Sequence, residues 1–243
     1  MFLYFLSLTN ISPVGWGCVF VTSILHALYF WFLGEAYELG DLSVVYPLAR
    51  GIGTLLVPFL AVSLIKEQLS ALGILGITLI ISGILLHLSF FPRRKFLLPF
   101  LALRGRAFCW ALGTGGSIAS YSLVDKIGVN NVYPPVYVYL MFVGAWFILT
   151  PYILVKKRVW LKVEWEKNMG TILAVGFLTV FTYLLVLFAM QMSKLSYVVA
   201  LRESSILFSV LYGTLWLREE YDRQKLLGAV LIFLGVFFIG LSK

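Results

Sequence analysis

Arg50, Arg202 and Glu203 are ionisable residues set inside long apolar runs, and that placement is the chain's first chemical signal. A charge at bilayer depth costs about 3 kcal/mol on insertion scales, so such residues face a cavity or a partner. Arg50 lies in the run Leu42–Ile65, beside Tyr46, Pro47, Gly51 and Gly53. Proline removes a backbone donor and bends a helix, and glycine permits close backbone approach. The stretch therefore reads as a helix lining something polar, the bland alternative being a packing helix whose arginine reaches the headgroups. A guanidinium there either holds a carboxylate or phosphate group or neutralises Glu203; a carboxylate takes a proton or a cationic group. His26, Tyr121 and Tyr183 place further polar side chains inside other apolar runs. His26 is either a hydrogen-bonded packing residue or a proton carrier.

The elements that must position these residues follow from composition. Of 243 residues, 61% are hydrophobic and 12% charged, against about 25% charged in soluble domains. Apolar segments of about 20 residues span a bilayer. Eight such segments appear, near 14–37, 42–65, 71–88, 107–127, 136–155, 171–191, 195–217 and 226–241. They are far longer than barrel strands, so the expected class is an all-α polytopic membrane protein. The net charge of +8 sits in short loops, where it sets topology and implies no nucleic-acid partner. Lys156–Lys167 reads as a charged loop anchored at the interface by Trp160 and Trp165. Cys18 and Cys109 are isolated in apolar runs, and His26 and His87 are far apart. Neither pair forms a metal-ligand pattern, and no metal or other cofactor is expected. Gly113-Thr114-Gly115-Gly116-Ser117 lacks the lysine of a phosphate loop. With no nucleophile or metalloprotease motif either, the chain is expected not to be an enzyme.

Two parts of the chain look alike. Ala36-Tyr37…Leu42-Ser43 recurs as Ala189-Met190…Leu195-Ser196. After a one-residue gap, Arg50 falls on Arg202, Glu67 on Glu219, Gly76 on Gly228 and Gly83 on Gly235, all at one spacing. Five spans separate the copies, and an odd number of crossings inverts the second relative to the first. Inverted-topology repeats mark secondary transporters, with the site near the bilayer midplane. Arg50 lies about 12 Å into its helix from one face, and Glu203 about as deep from the other. Across a core of about 30 Å they come within about 10 Å along the normal and are expected to face one central cavity.

The residues Leu42-Ser43…Tyr46-Pro47-Leu48-Ala49-Arg50-Gly51, then Lys66-Glu67…Gly76…Gly83, with Leu195-Ser196, Arg218-Glu219, Gly228 and Gly235, resemble the EamA family of the drug/metabolite transporter superfamily. The resemblance implies ten helices in two inverted five-helix repeats. It also implies export or exchange of small metabolites without ATP, by alternating access. On that pattern 1–90 is the first repeat, lacking its first helix and most of its second, with Met1–Leu8 as the second's tail. Residues 91–106 are a basic connector and 107–243 a complete second repeat. The substrate-pathway candidates are His26, Tyr46, Pro47, Arg50, Gly51, Tyr121, Tyr183, Arg202 and Glu203, with proton coupling assigned most readily to Glu203. The expected partners are a small-molecule substrate and the lipid bilayer, and the expected location is a bacterial cytoplasmic membrane. Alternative readings are a lipid-linked sugar flippase or a non-transporting truncated membrane subunit. Orientation has two readings. Basic loops gather on the side of Arg93, Lys156 and Arg218, which by the positive-inside rule puts the C-terminus outside. The family pattern puts it in the cytoplasm.

Overall fold

The computed structural model describes residues 11–39, 42–88, 106–205 and 223–242. The apolar start Met1–Leu8, nearly all of the connector 91–106 and most of the Arg218–Lys225 turn lie outside these residues. Among the described residues the chain is helical throughout, in eight helices: α1 Pro13–Leu39, α2 Leu42–Leu64, α3 Ala71–Leu88, α4 Arg106–Gly128, α5 Pro134–Lys156, α6 Arg158–Met192, α7 Leu195–Arg202 and α8 Arg223–Leu241. Three of them, α1, α5 and α6, are long and apolar enough to cross a membrane; 48–64, 71–86 and 227–241 are shorter apolar helices.

The charged stretch expected as a loop is mostly helix. Only Lys157 breaks the path, at φ −126° and ψ 12°, and α6 starts at Arg158. No Gly or Pro falls between Arg158 and Met169, and Lys, Glu, Leu and Trp there are compatible with helix. Asn168 alone leaves helical geometry, at φ −127° and ψ 21°, so a polar first segment joins the apolar remainder across a kink.

The chain divides into two compact units, Met1–Trp31 with Ser120–Ser193, and Phe32–Ala119 with Lys194–Lys243. In the first unit, α5 and α6 pack together around the fully buried Tyr137, Met141, Leu187 and Met190. Lys126 donates through Nζ to the carbonyls of Met190 and Ser193, the latter at 2.7 Å. A cation there meets the partial negative charge of the α6 C-terminus.

In the second unit, α3 and α8 are the most extensively packed pair, and glycine sets their approach. A Cβ on Gly83 would lie 2.7 Å from the Gly228 carbonyl and 2.7 Å from Ile232; one on Gly76 would meet the Gly235 carbonyl and Ile239 at the same distances. The helices thus run antiparallel and nearly touch at the backbone, as small residues allow in lipid. Ile77, Ile80, Ile84, Ile232 and Ile239 surround the contact with Tyr197 and Ala200. Gly83→Leu has only backbone and a β-branched neighbour to displace. It is expected to cost at least about 2 kcal/mol, read as a lowered unfolding midpoint in detergent, whereas leucine at Gly240, where nothing lies within 4 Å, leaves the midpoint unchanged.

The turn from α2 to α3 closes on Lys66, at φ 55°. The Glu67 N–H returns to the Ala61 carbonyl at 3.1 Å, a helix stop in which the left-handed residue is a lysine rather than the usual glycine. That stop delivers the Glu67 carboxylate to the start of α7, where it accepts from Leu195 N at 2.6 Å, Ser196 N at 3.1 Å and the Ser196 hydroxyl.

Candidate functional site

The candidate residues fall into two groups, one in each unit. In the second unit, Arg50 and Thr54 lie one helical turn apart on α2 and so share a face. Both reach Glu203, which caps the C-terminus of α7. Arg50 donates to Glu203 Oε1 from Nη2 at 2.8 Å and from Nε at 3.3 Å; Thr54 Oγ1 donates to the same oxygen at 3.1 Å. The side chains are 24% and 5% exposed. The two form an ion pair in a nearly closed site, with the arginine side chain partly exposed. Gly51 and Arg202 are half-buried, and Arg202 is the last residue of α7. Tyr46 and Pro47 fall in α2, with their side chains outside the description.

In the first unit, His26, Tyr121 and Tyr183 come together. The His26 ring stacks on Tyr121 at 4.1 Å between centroids and meets Tyr183 edge-on at 5.3 Å and Phe142 at 6.3 Å. At the centre of this group is a residue not singled out from sequence. Asp125 of α4 is 0% exposed. Its Oδ1 accepts from Thr22 Oγ1 of α1 at 2.5 Å and from the Tyr137 hydroxyl of α5 at 2.8 Å. Its Oδ2 accepts from the Tyr183 hydroxyl of α6. One carboxylate thus gathers the four helices that the described residues contribute to the unit. Thr22 Oγ1 is also 3.1 Å from His26 Nδ1, and the same ring nitrogen is 3.0 Å from the Thr22 carbonyl. His26 is therefore tied to the carboxylate through one hydroxyl.

Asp125 escaped the sequence because it sits next to Lys126, near the end of its apolar run. An acid–base pair in that position reads as a membrane boundary. Helix α4 continues through both to Gly128, and Tyr137 and Tyr183, distant in sequence, close over the carboxylate. The available signal was the rule applied to Arg50, that an ionisable group within a span has a partner.

Residues 105–241 match the family model described as the EamA-like transporter family. Residues 6–80 match that of the Small Multidrug Resistance protein. None of the curated proteins compared matches the chain. A solved chain titled "Crystal structure of protein" superposes with a TM-score of 0.67 at 16% identity, over 95% of this chain and 79% of that one. At that identity the likeness is one of fold.

Proposed function

The chain belongs to the EamA-like transporter family, and we propose on that premise that it is a secondary transporter exporting or exchanging small metabolites. It is an integral membrane protein of a small-molecule transporter family; the mode of transport is the proposal. The transporter works by alternating access around a central cavity between two inverted-topology repeats, in a bacterial cytoplasmic membrane, with eight spans in this chain. The observation that carries the reading is the family match across more than half of the chain. The geometry agrees with it, since Arg50 and Glu203 form a buried ion pair within a unit of apolar helices. A partly exposed arginine beside a paired acid suits exchange of partners, in which a substrate carboxylate competes with Glu203. His26, Tyr121 and Tyr183 supply aromatic and hydrogen-bonding surface in the other unit.

The α3–α8 contact supports the repeats. The sequence repeat places Gly76 on Gly228 and Gly83 on Gly235. The structure pairs Gly76 with Gly235 and Gly83 with Gly228. Exchanging the copies turns one contact into the other, as a two-fold axis between inverted repeats requires.

Flux of amino acids, amines and other small metabolites into proteoliposomes holding the full chain tests the transport reading. Exchange of at least one class above protein-free vesicles is expected, and none for the whole panel overturns it. Inversion has its own test. Leu39 and Met192 are equivalent in the repeat and are 51% and 88% exposed at the ends of α1 and α6. Cysteines at the two positions are expected to label from opposite sides of the membrane with an impermeant thiol reagent, and labelling from one side sinks the inverted arrangement.

A further inference from the structure

We infer that Asp125 is the protonation site that couples this transporter to a proton gradient, and that His26 exchanges the proton with it through the Thr22 hydroxyl. The inference rests on the transport reading and assigns the coupling chemistry within it. Glu203, the acid that the sequence favours for this role, is held by two guanidinium hydrogen bonds, so protonating it means breaking an ion pair. Asp125 is held differently. Its three donors are the hydroxyls of Thr22, Tyr137 and Tyr183. A hydroxyl both donates and accepts and turns about its C–O bond. All three can therefore donate to a carboxylate, and one can turn to accept the O–H of a carboxylic acid while the others go on donating.

A fixed strut between helices does not need this chemistry. Uncharged interhelical hydrogen bonds suffice in lipid, and a buried carboxylate costs more than they do. Thr22 lies nine residues into α1, about 14 Å along the axis, well inside the span. The titratable groups facing Asp125 are His26 by way of Thr22, Tyr137 and Tyr183. Cys18, one turn before Thr22, faces it as well, and Lys126 follows it in sequence with its ammonium on the end of α6.

The relay balances. A protonated His26 breaks its Nδ1–H bond to give that proton to Thr22 Oγ1. Thr22 breaks its own O–H bond to pass its original proton to Asp125 Oδ1. An imidazolium and a carboxylate become a neutral ring and a carboxylic acid, and no electrons change hands. The distances of 3.1 and 2.5 Å place both transfers within hydrogen-bond reach. Charge on Asp125 is thereby switched at the point where helices α1, α4, α5 and α6 meet, so each protonation state favours its own packing of that unit.

The test uses the full chain in lipid nanodiscs and proteoliposomes. Infrared spectra across the pH range in which the protein stays folded are expected to show a carboxylic-acid C=O band that titrates reversibly and is absent from Asp125→Asn. Thr22→Val, which keeps the acid and removes the relay, is expected to retain the band and slow its exchange in deuterated buffer. In proteoliposomes, Asp125→Asn is expected to lose flux driven by a pH gradient of whichever panel compound the native chain moves. A titrating band unchanged in Asp125→Asn, no acid band at any pH, or gradient-driven flux unchanged by the substitution overturns the inference. If the native chain moves no compound, the transport reading fails while the infrared titration still decides the protonation site. If Asp125→Asn does not fold, Asp125→Glu is expected to shift the titrating band, and an unshifted band assigns the proton elsewhere.

Discussion

Replacing Arg50 with methionine is expected to cost about 3–5 kcal/mol of folding stability, the range for removing one partner of a buried ion pair. Glu203, 4% exposed, would keep only the Thr54 hydroxyl on its carboxylate among the described residues. The reverse substitution, Glu203→Leu, is expected to cost less. The arginine is 24% exposed against 5% for the glutamate, and its long side chain can carry the charge toward water or headgroups. The double variant Arg50→Met with Glu203→Leu is expected to recover most of the loss, because an apolar pair of similar volume replaces two desolvated charges. Unfolding of the purified proteins in detergent measures all three. The ordering is diagnostic: additive and equal costs for the two single variants would mean that the pair is not desolvated as a unit. Transport separates from stability in the double variant, which is expected to fold and to move no substrate.

Glu67→Ala is expected to cost about 3 kcal/mol, the second large effect. Leu195 and Ser196 are both fully buried, so water cannot take over for the carboxylate. Two backbone donors and one hydroxyl of α7 would be left without their acceptor. A charged acceptor contributes about 1.5–3 kcal/mol per hydrogen bond, and an orphaned buried donor costs its desolvation as well. Glu67→Gln keeps one acceptor oxygen and is expected to lose roughly half as much. Because α7 ends at Glu203, a loosened α7 start also reaches the ion pair. The signature of that coupling is non-additivity between Glu67→Ala and Arg50→Met.

Much of the second unit was legible from residue types. Arg50 and Glu203 stood out as charges within apolar runs. The repeat and the parity of crossings led to the expectation that they come within about 10 Å along the normal, and the structure joins them at 2.8 Å. Gly76 and Gly83, one heptad apart, marked a close-packing face, which proves to be the α3–α8 contact. Glu67 looked like half of a short charged turn, and its capping role was hidden because its partners lie 128 and 129 residues away. The Lys156–Lys167 stretch misled through composition. Polar residues read as loop, yet a run without Gly or Pro keeps to helix until Asn168.

Apolar composition and segment length alone determined the class of this protein, because lipid admits only segments that satisfy their own backbone hydrogen bonds. Sequence also marked Arg50, Arg202 and Glu203 as charges that needed a partner, since an unpaired charge in hydrocarbon is too costly to keep. Only the tertiary structure decided what those partners are. Arg50 found Glu203, Glu67 found a helix terminus, and Asp125 found three hydroxyls from three other helices. The physical reason is range: hydrogen bonds form over about 3 Å between residues far apart along the chain, and packing, not spacing, sets those distances.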